Sequence, residues 1–201
     1  MVDQYPMKIG ILALQGDFLE HEHALQRLDV DVVQVRLPHD LDELAGLIIP
    51  GGESTTFAKL AVRFDLIAPL RAFANSGIAM WGTCAGLIFL AKDVGRDQIT
   101  LRLMDLTVKR NAFGRQIDSF TTGLMITGIE GDLFPGVFIR APIIERLGSE
   151  VRILSTLEDG RIVAARQNNL LVTSFHPELT ADLRVHQYFL RMCEAVVTTH
   201  L

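Results

Sequence analysis

Cysteine is scarce in this chain: two residues in 201, Cys84 and Cys193. That excludes a disulfide-stapled scaffold and points to free thiols in a cytoplasmic protein. Long apolar runs are missing as well. None reaches the ~18 consecutive apolar residues that a membrane span needs. The opening MVDQYPMKIG lacks the basic start and apolar core of a secretory signal. Charge of one sign is also in short supply. Nineteen Lys and Arg against 24 Asp and Glu leave a net charge of −5, which offers no basic footprint for nucleic acid or an acidic membrane surface. The P-loop spacing G-x-x-x-x-G-K-[ST] does not occur, and no internal repeat or low-complexity stretch is visible.

What is present is a hydrophobic share of 49%, enough for one compact domain over residues 1–201 with a sizeable core and a flexible polar lead at 1–6. Short apolar or β-branched runs at 8–14 (KIGILAL), 30–35 (VDVVQV), 47–49 (LII) and 78–81 (IAMW) read as strands. Helical spacing follows them near 19–28, 55–64, 66–75 and 87–91. Such alternation predicts a parallel sheet wrapped on both faces. From 106 to 175 the pattern turns to strands separated by turn signals, among them Asp159-Gly160 and Asn168-Asn169. A helical period returns at 182–197. The fold class expected is α/β: three layers, a mostly parallel central sheet with helices on both faces, and an antiparallel strand extension.

Within this frame GTCAG, residues 82–86, has the G-x-nucleophile-x-G form of a nucleophile elbow with cysteine at its centre. A sharp strand-to-helix turn strains the central residue. Side chains two positions to either side would collide with the neighbouring strand and helix, so glycine stands at both flanks. Cys84 would then project from the carboxyl edge of the sheet, where open α/β sheets bind ligands, at a helix N-terminus that favours negative charge. The alternative is a small buried hydrophobe. Cys193, inside the last helical pattern, has only that second reading.

A cysteine nucleophile needs a base, and the base an orienter. Of six histidines, His21 and His23 sit two apart on a helix, facing different ways, which argues against a metal pair. His39, His186 and His200 stand in polar or terminal surroundings and read as solvated. His176 differs: it follows the apolar strand at 170–175 and opens His176-Pro177-Glu178. Pro177 holds His176 extended, and residues two apart on an extended chain project to one side, so Glu178 is expected to reach the ring. Cys84, His176 and Glu178 together make a nucleophile, base and orienter. Backbone donors for an oxyanion are expected from Ala85, after the nucleophile, and from the loop at Gly51 and Gly52. Ser54 reads as the cap of the helix that follows. No metal and no cofactor are called for.

PGGEST (50–55), GTCAG (82–86) and SFHPE (174–178) resemble the triad-type, class I glutamine amidotransferases, in which a Cys-His-Glu triad hydrolyses glutamine to glutamate and ammonia. LALQGDFLEH (12–21), KRNAFGRQIDSF (109–120) and GVFIRAP (136–142) narrow the likeness to the glutaminase subunits of pyridoxal 5′-phosphate synthase. The resemblance spans nearly the whole chain. It implies Cys84, His176 and Glu178 as the triad, and Gly52, Glu53, Ser54, Arg110, Ile139 and Arg140 as contacts for L-glutamine. Guanidinium groups suit the α-carboxylate of that substrate and a carboxylate suits its ammonium. Without the resemblance Arg110, Arg115 and Arg140 read as solvated surface charges. The resemblance further implies a partner, a β/α-barrel synthase subunit that receives the ammonia and condenses it with a pentose phosphate and a triose phosphate. Its docking face is expected at Gln15-Gly16-Asp17 and the first helix. One departure from the pattern is Leu101-Arg102-Leu103, where a small residue, often glycine, is expected. Three rivals stay open: the glutaminase of another amidotransferase, a non-catalytic α/β binding module, and a cysteine peptidase.

Overall fold

The structure, a computed structural model, describes residues 7–110 and 119–199, the last four as backbone. The expected flexible lead at 1–6, Arg115 with most of the RN-x-FGRQ block, and His200 lie outside the described residues. The chain opens as β1 (Lys8–Leu12), α1 (Phe18–Gln26), β2 (Asp31–Val35), β3 (Gly46–Ile49), α2 (Ser54–Arg63), α3 (Ile67–Asn75), β4 (Ala79–Thr83) and α4 (Ala85–Leu90). It continues as β5 (Ala91–Asp93), β6 (Met104–Lys109), β7 (Ser119–Leu124), β8 (Phe134–Ile139), β9 (Ile143–Leu147), β10 (Arg152–Thr156), β11 (Ile162–Gln167) and β12 (Leu170–Thr173). It closes with α5 (Arg184–Thr199).

One sheet runs in the order β2-β1-β3-β4-β12-β11-β9-β6-β5, with β10 branching from β11. Its first five strands are parallel to their neighbours. Beyond β12 the ladders through β11, β9 and β6 are antiparallel, and β5 returns parallel to β6 at the far edge. The sheet is therefore mixed, a parallel half joined to an antiparallel half. The helix expected at 87–91 runs instead over Ala85–Leu90, and Ala91 begins β5. Strands β7 and β8 form a separate antiparallel pair.

Alternation along the strands builds two cores. Leu47, Ile49 and Met80 face α2, α3 and α4, where Phe57, Leu70 and Leu87 are fully buried. Ile48 and Trp81 face the other way, onto α1 and α5 with Leu25 and Phe189, and Phe134 and Phe138 of β8 extend that second core. Each fully buried Leu, Ile or Phe contributes about 1.5–3 kcal/mol. These two cores hold β3, β4 and β12 side by side, so the segments leaving their carboxyl ends converge. Asn169 adds a lock at the opposite end, its amide donating to the Ala74 and Ile78 carbonyls at 3.0 and 2.7 Å.

Candidate active site

Cys84 stands at the turn from β4 into α4 with φ 45° and ψ −96°, on the positive-φ side that L-residues avoid. Such a conformation costs about 1–3 kcal/mol and persists only where surroundings over-determine it. Here they do. The Cys84 N–H donates to the Thr173 carbonyl of β12 at 2.9 Å. A Cβ at Gly82 would come within 2.5 Å of the Gly86 carbonyl carbon, and one at Gly86 within 2.1 Å of the Ile49 carbonyl oxygen. Both flanking glycines are thus required by close backbone approach, as the elbow pattern predicts. The thiol lies 4.0 Å from the Ile139 carbonyl oxygen.

β12 pairs with β4 in parallel, Thr173 opposite Thr83, so His176 leaves the sheet beside the elbow. Its N–H donates to the Val137 carbonyl of β8 at 2.8 Å, and its Nδ1 lies 2.7 Å from Glu178 Oε1. The route to that contact differs from the extended chain expected. Pro177–Leu179 is a 3₁₀ turn, closed by Leu179 N–H on the His176 carbonyl, and the turn folds Glu178 back under the ring. Pro177 suits the first turn position because no N–H is needed there. Burial pulls the His176 pKa down, but hydrogen bonds with Cys84 and Glu178 and the charges of both outweigh it and push it up to about 10. Glu178 is buried, which raises its carboxyl above the ordinary range against the opposing pull of His176.

Behind Glu178 lies a group that the sequence reading missed. His21 of α1 is fully buried, with Nε2 3.4 Å from Glu178 Oε2 and 3.3 Å from Thr83 Oγ1. Its Nδ1 is 3.1 Å from Nε2 of His186. His186 was expected in solvent; it is fully buried instead, because α5 packs this side chain onto Trp81 of β4. The Trp81 ring meets both imidazoles edge-on, at centroid distances of 5.3 Å for His21 and 5.0 Å for His186. Burial first, then the neighbouring imidazoles, hold His21 well below the usual histidine value. Burial and the Arg27 charge push His186 down to about 3. The visible signal was the two-residue alternation that turns Trp81 toward α1 and α5. His39 is exposed, as expected, and His23 likewise.

The expected rim residues surround the elbow. Gly51 packs on the His176 ring: a Cβ there would meet His176 Cε1 at 2.5 Å. Gly52 has φ 144°, reserved for glycine, and Ala85 takes the first position of α4, where a backbone N–H has no partner inside the helix. The cap of α2 is Glu53 rather than Ser54. Its carboxylate accepts from Thr55 N–H and Thr56 N–H; the bond from the Thr55 hydroxyl above all, helped by Thr56 N–H, lowers its pKa to about 2 against the opposing effect of burial. Ser54 is the first helical residue, its hydroxyl buried without a hydrogen-bond partner among the described residues. Arg110 is half-buried, donating to Gln98 Oε1 at 3.0 Å and lying 3.6 Å from Glu53 Oε1. Ile139 and Arg140 are exposed at the end of β8, and Arg140 has φ 44°. Asp17 reaches in from the loop after β1, its Oδ2 3.5 Å from His176 Nδ1. Asp17, His176 and Glu178 bring polar atoms within 4.8 Å of one another, and the 2.7 Å contact between the His176 ring and Glu178 fills the centre of that group. Chemically the arrangement offers a strained thiol, a buried imidazole shared between thiol and carboxylate, and backbone donors beside them. That is the equipment of acyl transfer through sulfur.

The profile of the SNO glutamine amidotransferase family matches residues 11–195. A pyridoxal 5′-phosphate synthase subunit PdxT from Dehalococcoides mccartyi is 55% identical over 191 residues, 94% of this chain and 98% of the relative. The PdxT of Herpetosiphon aurantiacus is 55% identical over 188 residues, 92% of this chain and 99% of its own length. Among solved structures, a glutamine amidotransferase superposes with a TM-score of 0.88 at 46% identity, covering 92% of this chain and 98% of that one. A glutamine amidotransferase from Thermotoga maritima, 15% identical, shares the fold with a TM-score of 0.62 over 96% of this chain and 86% of its own.

Proposed function

The chain belongs to the SNO glutamine amidotransferase family, and from that premise we propose that it is the glutaminase subunit of a pyridoxal 5′-phosphate synthase. It hydrolyses L-glutamine through Cys84, His176 and Glu178 and delivers ammonia to a barrel-shaped synthase subunit. The observation that carries the chemistry is the strained Cys84 beside an imidazole hydrogen-bonded to a buried carboxylate at 2.7 Å.

The steps follow from the geometry. The Cys84 sulfur attacks the side-chain amide carbon of glutamine, with the thiol proton held by His176. Charge moves to the amide oxygen, where the Ala85 N–H and donors of the Gly51-Gly52 loop receive it. Losing one such donor costs about 2.7–4 kcal/mol of transition-state stabilisation. Collapse breaks the C–N bond as His176 Nε2–H passes its proton to the leaving nitrogen, releasing ammonia and leaving a thioester. Water then attacks, giving His176 a proton that returns to sulfur as glutamate departs. Glu178 keeps the other ring nitrogen protonated throughout. We assign Arg110 and Arg140 to the substrate α-carboxylate, and Glu53 with the Gly52, Ser54 and Ile139 backbone to the rest of the glutamine head.

We place the partner's docking face on residues 15–17 and α1. This loop is wired to the oxyanion loop: Asp17 N–H donates to the Gly51 carbonyl at 3.2 Å, and Glu53 N–H donates to Gln15 Oε1 at 2.8 Å. A partner pressing on residues 15–17 therefore moves the glycine donors, which ties glutamine hydrolysis to the presence of an ammonia acceptor. The test is a glutaminase assay with and without a barrel synthase subunit. Stimulated activity in the wild type and none in Cys84→Ala is expected. Equal activity in the two proteins overturns the mechanism, and stimulation that survives reversal of Glu20 and Glu22 with replacement of Gln15 overturns the docking face.

A further inference from the structure

We infer that His21 is a positioning residue for the triad: as a neutral imidazole backed by His186, it holds an N–H against the outer oxygen of Glu178 and keeps that carboxylate anionic and aimed at His176. The inference rests on the glutaminase reading and concerns a part of the molecule that reading leaves idle.

Three buried imidazoles and one buried carboxylate lie in a row. Glu178 Oε1 faces His176 Nδ1 at 2.7 Å, and Oε2 is buried with no hydrogen-bond partner among the described residues. Against Oε2 stands His21 Nε2 at 3.4 Å, an electrostatic contact rather than an aligned hydrogen bond. Both side chains are completely shielded from water, so the medium that weakens charge–dipole interactions at surfaces is missing here.

The direction of the proton chain follows from hydrogen-bond capacity. With the proton on Nε2, His21 presents an N–H to both Thr83 Oγ1 and Glu178 Oε2, and its Nδ1 accepts from His186 Nε2–H at 3.1 Å. The leftover atom is then His186 Nδ1, an acceptor without a partner among the described residues. In the opposite tautomer His21 turns a lone pair toward the Glu178 carboxylate. His186 must then carry an unpaired N–H into the core. Buried donors without partners are rarer and costlier than buried acceptors, and a lone pair facing a carboxylate is repulsive. The first arrangement wins on both counts. Burial, first, and then the neighbouring imidazoles lower the His21 pKa and so favour the neutral ring, as burial does for His186. The groups facing His21 are Glu178 and, beyond it, His176 from the turn after β12, Thr83 and Trp81 from β4, and His186 from α5. Arg27 bears on His186 from the end of α1.

The experiment measures glutaminase kinetics in the complex with the barrel subunit for wild type, His21→Leu, His21→Gln and His186→Leu, across pH. A hydrogen bond to a charged group is worth about ten- to hundredfold, and an N–H facing a buried carboxylate without alignment stands at the low end of that range. His21→Leu is therefore expected to lower kcat about tenfold with KM within about twofold, and to move the acid limb of the profile upward as Glu178 loses the facing N–H. His21→Gln, whose amide can supply an N–H near the Nε2 position, is expected to recover most of kcat and the original limb. His186→Leu, which frees the His21 tautomer, is expected to shift the limb in the same direction, and it serves as the deciding variant if His21→Leu does not fold. Variants with lower melting temperature but unchanged kcat and pH profile overturn the inference, since a purely packing role moves only stability. A wild-type complex inactive on glutamine overturns the glutaminase reading itself, a result separable from active wild type with indifferent variants.

Discussion

Adding one methyl group at Gly86 tests how the elbow works. A Cβ there would lie 2.1 Å from the Ile49 carbonyl oxygen and 2.9 Å from its carbon, against the 3.0 Å that real Cβ atoms essentially never cross. The obstacle is backbone of β3, the strand paired with β4 through Ile49 and Gly82, so no side chain can swing aside. Either β3 or the elbow must yield by about 1 Å. Overpacking of this kind costs about 1–3 kcal/mol, and a shift of about 1 Å in a reacting group costs about a hundredfold in rate. Gly86→Ala is therefore expected to lower kcat/KM about a hundredfold while the protein stays folded, its melting temperature falling by about 2–4 °C per kcal/mol lost. Gly160→Ala supplies the control. That residue has φ 83° and open space within 4 Å of a Cβ, so alanine there strains the backbone and leaves catalysis alone. Urea unfolding and glutaminase assays on both variants separate stability from placement. Gly86→Ala with kcat/KM within about twofold of wild type refutes the argument from close backbone approach.

Other outcomes follow from single features. His176 has its pKa raised from 6.5 to about 10 in the folded protein, so its contribution to stability is complete below pH 6.5 and is lost as pH rises through about 10. Urea titrations at pH values across that window should show a decline in unfolding free energy that is flatter in His176→Gln; equal slopes refute the assignment. Arg102 has φ 55° at the position where the family pattern calls for a small residue. Arg102→Gly should raise stability by about 1 kcal/mol, read as a higher urea midpoint, with kinetics unchanged. Cys193 is fully buried and its thiol is pushed up to about 12, first by burial and then by the Glu194 charge. An electrophilic glutamine analogue should therefore label Cys84 and leave Cys193 free in native protein, which mass spectrometry checks peptide by peptide. Glu53→Ala removes the α2 cap and should lower stability by about 1 kcal/mol by urea unfolding.

Much of the site was legible because its constraints are local. GTCAG announces an elbow since two glycines flanking a residue after an apolar strand have a steric reason that needs no knowledge of the rest of the chain. The apolar runs behind β3, β4 and β12 were visible because parallel strands covered on both faces carry no polar alternation. The contact of Glu178 with His176 came through even though the local backbone did not: two-residue spacing brings the carboxylate to the ring through a 3₁₀ turn as it would through an extended chain. His186 was misplaced for the opposite reason. Its neighbours Arg184 and Gln187 suggest solvent, and its burial depends on which face of α5 lies over Trp81. The cap of α2 fell to Glu53 rather than Ser54 because both residues can cap, and the exit angle of the chain from β3 decides where the first helical turn starts. Arg110 carried no signal of its own before the family resemblance; Gln98, which holds it, lies twelve positions earlier in sequence.

Taken alone, the order of residues determined the alternation of strands and helices, the thiol on its glycine bend, and the pairing of an imidazole with the carboxylate two positions on. Each of these rests on sterics or periodicity within a few residues. Only the tertiary structure decided that β12 inserts beside β4, bringing Thr173 opposite Thr83 and so His176 next to Cys84. Only packing across the sheet turned His21 and His186 into a dry support behind Glu178. Strand order and burial depend on contacts between segments far apart in the chain, and those contacts leave no local periodicity to read.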